Sequence, residues 1–237
     1  MSRSFVSVLT PTYNRSKFIP ALVECYKAQT YPKDRMEWIV IDDGTEKVGE
    51  LFLKLTKDLP NIRYISLDTK LNIGAKRNLL NKEAKGQICV CMDDDDFYCP
   101  ERVAHAVFKL NSIPGIELAG SSELFLYYTD TAEIIKIGPY GPNHATNGTM
   151  AYKTSYGKSH FYDESVTFAE EKSFLEDYKH KMVQLDSMKV MLVMSHSQNT
   201  FDKSLFRNVE NNFVKKTKLK IKDFIKNKSQ REFYTTI

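Results

Sequence analysis

The feature that most constrains this chain is a series of short, almost wholly apolar runs, each ending in polar residues and followed by a helix-like pattern. Phe5-Val6-Ser7-Val8-Leu9 is the first, broken by Thr10-Pro11-Thr12-Tyr13-Asn14. Trp38-Ile39-Val40-Ile41 ends in Asp42-Asp43-Gly44, Ile62 to Leu67 is a third run, and Gln87 to Met92 a fourth that ends in Asp93-Asp94-Asp95-Asp96. Between them, Ile19, Leu22, Val23 and Tyr26 share one helical face behind Ser16 as a candidate N-cap. Leu51, Phe52, Leu55 and Leu59 mark a second helix closed by Pro60, and a third runs from about Gly74 to Ala84. Strands apolar on both faces, alternating with helices, require a mostly parallel sheet with helices on both sides. The fold class is α/β.

Beyond residue 100 the pattern changes. Leu118-Ala119, Leu124 to Tyr128 and Ile134 to Ile137 are short strands without long crossover helices, and Met188 to Met194 is a late apolar strand. The spacing predicts an α/β half (1–100) and a mixed α+β half (101–212) sharing one sheet. Residues 213–237 stand apart as a basic tail, with seven lysines and Arg231 against Asp223 and Glu232, a net +6 in a chain whose whole charge is +4. The body is therefore slightly acidic, which argues against a nucleic-acid-binding domain, since that needs its positive charge on a face of the fold. Val214, Leu219, Ile221, Phe224 and Ile225 among the lysines suit either peripheral contact with an anionic membrane surface or acidic partner, or a solvated helix.

A composition of 42% hydrophobic and 27% charged residues provides a core and excludes wholesale disorder. No apolar window reaches the length of a membrane-spanning helix. The start, Met-Ser-Arg-Ser-Phe-Val-Ser-Val, has no h-region, and Cys25, Cys89, Cys91 and Cys99 form no CxxC pair. These features predict a cytoplasmic chain with buried thiols. There the sequon-like Asn147-Gly148-Thr149 meets no glycosylation machinery.

The chemistry concentrates at strand ends. Ligands of an open parallel sheet bind outside the carboxyl ends of its strands, where the four consecutive aspartates emerge. Adjacent carboxylates repel unless a cation or donor groups balance them. Alternation along a strand end puts Asp93 and Asp95 together, a pair suited to a hard divalent ion. A solvated acidic loop, or acids at a helix start ahead of Pro100, is the plainer reading. Asp42-Asp43-Gly44 repeats the motif at a second strand end, or is an ordinary turn. Thr10 to Arg15 offers an aromatic ring and a fixed backbone to a base, or merely joins strand to helix. Asn72-Ile73-Gly74-Ala75-Lys76-Arg77-Asn78 places cations and backbone N–H groups at a helix start, where an anion can bind.

Together, in order and spacing, these four segments resemble the family 2 glycosyltransferases of the nucleotide-diphospho-sugar transferase (GT-A) fold. The resemblance is clear over about residues 5–105, weaker to about 200, and absent from the tail. It implies a GT-A Rossmann-like mixed sheet and a nucleotide-binding set of Thr10, Thr12, Tyr13, Arg15, Asp43, Gly74, Arg77, Asp93 and Asp94. In that set Thr12 or Tyr13 contacts nucleobase and ribose, Asp43 accepts a hydrogen bond from the base, and Arg77 and the backbone near Gly74 lie beside the nucleotide. Asp93-Asp94-Asp95 takes the place of the DxD element, with Asp95 the direct ligand of Mn²⁺ or Mg²⁺, assisted by Asp93. Some GT-A enzymes add a histidine after the late strand, here His196. Phe161 to Glu171 resembles the segment that ends in Glu-Asp and supplies the catalytic base. Here Glu171 replaces the final aspartate, and first-turn acids of a helix are the plainer reading of Glu170 and Glu171.

The implied activity is metal-dependent, inverting transfer of a sugar from a nucleoside-diphosphate sugar, most simply a UDP-sugar, to a hydroxyl of a glycan, lipid or protein. The QxxRW signature of processive members is absent. A sugar-1-phosphate nucleotidyltransferase would need a glycine-rich loop after the first strand, and Thr10 to Arg15 has no glycine. A non-catalytic nucleotide-sugar-binding scaffold is the other alternative. His105, His144, His160 and His180 have no partner pattern.

Overall fold

A computed structural model describes residues 3–167, 169–197, 199, 203–207, 209 and 211–237. In chain order the first half comprises β1 (Val6–Thr12), α1 (Ile19–Ala28), β2 (Met36–Asp42), α2 (Gly49–Thr56), β3 (Ile62–Ser66), α3 (Ile73–Glu83), β4 (Ile88–Cys91), β5 (Phe97–Tyr98) and α4 (Arg102–Ser112). The second comprises β6 (Leu118–Gly120), β7 (Leu124–Tyr128), β8 (Ile134–Ile137), β9 (Ala151–Lys153), α5 (Thr154–Ser159), α6 (Glu171–Phe174), β10 (Met182–Gln184), β11 (Met191–Ser195), β12 (Val214–Lys216), α7 (Ile221–Phe224) and α8 (Lys228–Thr236).

Seven strands form the main sheet in the order β10-β6-β9-β4-β1-β2-β3. Pairings β1–β2, β1–β4, β2–β3 and β6–β10 are parallel, while β9 runs antiparallel to both β4 and β6. Period-two alternation sends Val6, Val8, Trp38, Val40, Ile88 and Val90 into a core shared with α1, α2 and α4. Leu9, Ile39, Ile41, Cys89 and Cys91 go to the opposite core, with residues of α3, α5 and α6. Trp38 anchors the first core, stacked on Tyr26 at 4.4 Å and edge-on to Phe52 at 4.8 Å. All four cysteines are free and buried.

Three expectations change. The second half does not share one sheet, because β7, β8, β11, β12 and β5 form a separate five-stranded sheet in the order β12-β8-β7-β11-β5. Ser16 does not cap α1: Phe18 stands at the N-cap without a side-chain bond, and Pro20 in the first turn presets the backbone. Residues 213–237 are not a detached tail. β12 pairs with β8, and Phe224, Ile225 and Tyr234 are buried in the core with relative exposures of 5%, 0% and 1%. The lysines mark the solvent side of these elements, and the apolar residues between them pack inward. Among the described residues no helix is long and apolar enough to cross a membrane.

Candidate active site

In the main sheet the chain leaves β1 toward β2 on one side and arrives at β4 on the other, which opens a crevice at the carboxyl ends of these two strands. The loops beyond β1 and β4 meet there around a cavity of about 520 Å³. Arg15, Arg77, Asp93, Asp94, Asp95 and Glu171 line it, joined by Asn147, Asn199 and Lys203. Leu124 and Leu126 of β7, Ile137 of β8, and Met191 and Val193 of β11 form an apolar wall from the second sheet.

The aspartates follow the strand as a turn, so simple alternation does not apply to them. Their counter-charges divide them differently. Asp93 accepts from Arg77 at 2.9 Å, and its own N–H donates to Tyr98 Oη at 2.6 Å. Arg15 approaches Asp94 at 3.8 Å and Asp95 at 3.7 Å. Asp96 accepts the N–H of Met194 at 2.8 Å and faces Lys203 at 3.9 Å. Behind the loop Arg102 is fully buried and donates to the carbonyl of Met150 at 2.6 Å.

Burial pushes the Asp94 carboxyl well above its ordinary range, with Asp95 adding to the rise, and lifts Asp96 to about 7. Asp95 ends on the other side. Burial would raise it, but His196, Lys203 and Arg15 together outweigh that effect and hold it at about 2. It is therefore a fixed anion at neutral pH.

His196 lies behind Asp95, its side chain wholly buried and its Nε2 3.4 Å from Asp95 Oδ2. The Asn199 amide is oriented by the bond from His196 N to its Oδ1, 2.8 Å, so its Nδ2 points at both His196 Nε2 (3.0 Å) and Asp95 Oδ2 (3.3 Å). A ring nitrogen and a carboxylate oxygen thus both face the same donor. The imidazole and carboxylate of this pair suit Mn²⁺, whereas Asp93 is held by Arg77 and, among the described residues, does not converge with them into a three-ligand cluster.

Arg77 bridges the aspartate loop and the segment of Glu170. Its Nε donates to Glu170 Oε1 at 2.8 Å, and its guanidinium also contacts the amide oxygen of Asn147, whose nitrogen reaches Tyr162 Oη at 2.7 Å. Glu170 is spent on this pair, whereas the adjacent Glu171 begins α6 at the cavity wall. Burial lifts Glu171 to about 7, and the charges of Glu170 and Asp93 reinforce the rise. Phe168 of the same segment lies outside the described residues.

Several expected nucleotide contacts prove to have internal duties. The Thr10 hydroxyl is fully buried and accepts the indole N–H of Trp38 at 3.0 Å. Thr12 is buried, its hydroxyl beside Asp94. Asp43 does not line the cavity, because Lys76 pairs with one carboxylate oxygen and the N–H of Leu71 donates to the other at 2.7 Å. Its neighbour Asp42 clamps the following turn, accepting from Gly44 N, Val48 N and Tyr64 Oη at 2.7–2.8 Å. Gly74 admits the backbone of Asp163, whose carbonyl oxygen leaves no room for a Cβ. It joins α3 to the segment carrying Glu170 rather than opening toward an anion. Tyr13 is half-buried outside the cavity, with Lys70 Nζ 4.1 Å over its ring.

Asn147, Asn199 and Lys203 were not singled out as site residues from sequence. Asn147 carries only the sequon pattern, and Asn199 and Lys203 lack any spacing signal, since chain folding alone brings them beside the aspartates.

A crevice at the switch point of a mostly parallel sheet, lined by acids and arginines, is where such an open sheet binds a ligand. Residues 7–119 match the family described as Glycosyl transferase family 2. Over 211 residues the chain is 26% identical to poly(ribitol-phosphate) beta-N-acetylglucosaminyltransferase TarS of Staphylococcus aureus, covering 84% of this chain and 35% of that protein. Over 124 residues it is 27% identical to glycosyltransferase AglE of Haloferax volcanii, covering 52% of this chain and 40% of the relative. The chain therefore spans roughly a third of TarS. Among solved structures, residues 1–349 of TarS with UDP-GlcNAc align at a TM-score of 0.64 and 20% identity, covering 82% of this chain and 59% of that one. The mannosyltransferase PcManGT from Pyrobaculum calidifontis, with GDP-Man and Mn²⁺, aligns at 0.66 and 15% identity, covering 84% and 59%. Residues 7–119 thus carry the likeness to that family, and the chain has the GT-A fold of these structures.

Proposed function

We propose that this chain transfers a sugar from a UDP-sugar to an acceptor hydroxyl with inversion, in a reaction that uses Mn²⁺ or Mg²⁺ held by Asp95, Asp93 and His196, with Glu171 as the general base. The observation that carries the reading is the contrast between two adjacent glutamates. Glu170 is neutralised by Arg77, whereas Glu171 stands at the same cavity with its carboxyl lifted to about 7. A base poised near the working pH is what removal of a hydroxyl proton needs. The bound cation would stabilise the charge that gathers on the diphosphate leaving group. Arg15 and Arg77 orient the aspartates on the donor side, and Arg15 is placed to share the diphosphate's charge. Separate carboxylates for leaving group and base, Asp95 and Glu171, support a single displacement.

The UDP preference rests on the likeness to TarS, whose structure holds UDP-GlcNAc. The test compares Glu171→Gln with Glu170→Gln. Glu171→Gln should lower transfer about 10²–10⁴-fold while Mn²⁺-dependent UDP affinity, measured calorimetrically, stays within a few fold. Normal transfer by Glu171→Gln would place the base elsewhere. Catalytically silent protein that still binds UDP-sugars would favour the scaffold reading instead.

A further inference from the structure

A second cluster of ligating side chains lies outside the cavity. His160 follows α5, while Glu176 and His180 follow α6, so the three bracket the segment that carries Glu170 and Glu171. One ligand atom from each residue lies within 4.8 Å of the other two. His180 Nε2 is 3.2 Å from Glu176 Oε2, and His160 Nε2 is 3.9 Å from Glu176 Oε1. The imidazoles meet edge to face, their centroids 5.0 Å apart at 83°.

The ring of His160 is already oriented. Its Nδ1 lies 3.1 Å from the carbonyl oxygen of Tyr156 and 3.0 Å from Ser159 Oγ, which turns Nε2 toward Glu176. Metal-bound histidines are characteristically oriented through their other ring nitrogen. The Tyr156 ring holds the plane by stacking at 3.8 Å and 4°. The chain also takes an unusual path to bring Glu176 here: Glu176, Asp177 and Tyr178 all have positive φ, at 45°, 57° and 60°. Three successive non-glycine residues in this region are costly and call for a compensating interaction.

We propose that His160, Glu176 and His180 bind a zinc ion, independently of the cation at the aspartates. Two imidazoles and one carboxylate are borderline ligands that favour zinc over magnesium or calcium, and three protein ligands leave a position for water. A tetrahedral zinc with bonds of about 2 Å spaces its ligands roughly 3.3 Å apart, so the existing separations need only modest closure. Lys179, whose Nζ contacts Glu176 Oε2 at 3.0 Å, is two-thirds exposed and free to swing away when the ion enters. The ion would fasten both ends of the loop that presents Glu171, reducing the entropy of that loop. The alternative is a plain polar cluster of the two histidines and Lys179 around Glu176.

The experiment uses tag-free full chain, stripped with EDTA and titrated with zinc by calorimetry in excess Mg²⁺. The background is Asp95→Asn, which disables the aspartate site. One equivalent should bind, with affinity falling at least about 10-fold in His160→Gln, His180→Gln and Glu176→Gln. Cobalt should give the strong visible bands of a four-coordinate ion in the parent and lose them in the same variants. Glu176→Gln, at a partly exposed position, guards against misfolding as the cause, as judged by circular dichroism. No zinc binding in the Asp95→Asn background, or equal binding in all three cluster variants, would overturn the proposal.

Discussion

Glu171 and Arg77 show what single side chains contribute. Glu171 has a folded-state pKa of about 7, above the ordinary carboxylate value, so the folded state retains its proton more tightly than the unfolded chain does. Stability therefore declines as pH rises from the unfolded value toward 7. In thermal melts at pH 8, Glu171→Gln should raise Tm, and the difference should vanish at pH 4. The same pKa predicts that kcat/KM rises with pH to a plateau above about 7; a profile flat from pH 5 to 8 would contradict the base assignment. Arg77 neutralises Asp93 and Glu170 together. Arg77→Met strands both carboxylates, and breaking such buried pairs costs about 3–5 kcal/mol. Urea unfolding should show that loss, and Mn²⁺ should recover part of it by supplying countercharge at Asp93.

At the level of elements, the C-terminal strand and helices matter beyond their charge. Tyr234 of α8 donates to the backbone carbonyl of Asp96 at 3.1 Å and sits against Cys25 of α1, which ties the last helix to the aspartate loop. Phe233 of the same helix meets Phe18 edge-on at 6.2 Å, and Phe18 packs against His196 at 4.9 Å. Truncation after Asn212 removes this support together with three buried side chains. Each large-to-small loss in a core costs about 2–5 kcal/mol, so the truncated chain should fail to fold cooperatively at 25 °C. A native-like melt and unchanged UDP affinity after truncation would contradict this. Tyr234→Phe is the milder probe, with an expected loss of about 1 kcal/mol.

For the whole molecule, one core spans both sheets and reaches from Val6 to Tyr234. No boundary at residue 100 or 212 interrupts it. Heat or urea should therefore unfold the chain in a single transition, with the fluorescence of Trp38 and the far-ultraviolet circular dichroism changing together. A separate early transition would show that the second sheet is a unit of its own. Shared packing also sets the candidate site, since its acidic side comes from the main sheet and its apolar wall from the second sheet.

The apolar runs with acidic ends determined the parallel part of the sheet, its helices and the crevice, because strand burial and helix periodicity are local and leave a one-dimensional record. The position of Asp93 to Asp96 at the cavity was legible for the same reason, since they directly follow the fourth apolar run, whereas Glu171 was singled out only through the resemblance to the family segment. The second sheet was not legible, because β5, β7, β8, β11 and β12 pair across long separations that no local pattern encodes. Nor was the division of labour among like residues. Asp42 and Asp43 read in sequence as either a turn or a ligand-facing strand end, and the partners Gly44, Val48, Tyr64, Lys76 and Leu71 come only from the fold. Glu170 and Glu171 are neighbours of the same type, and only the fold pairs Glu170 with Arg77, ninety-three residues earlier, and buries Glu171 so that its carboxyl rises. Side-chain chemistry is written residue by residue, but burial and countercharge, which decide how that chemistry is used, arise only when distant segments meet.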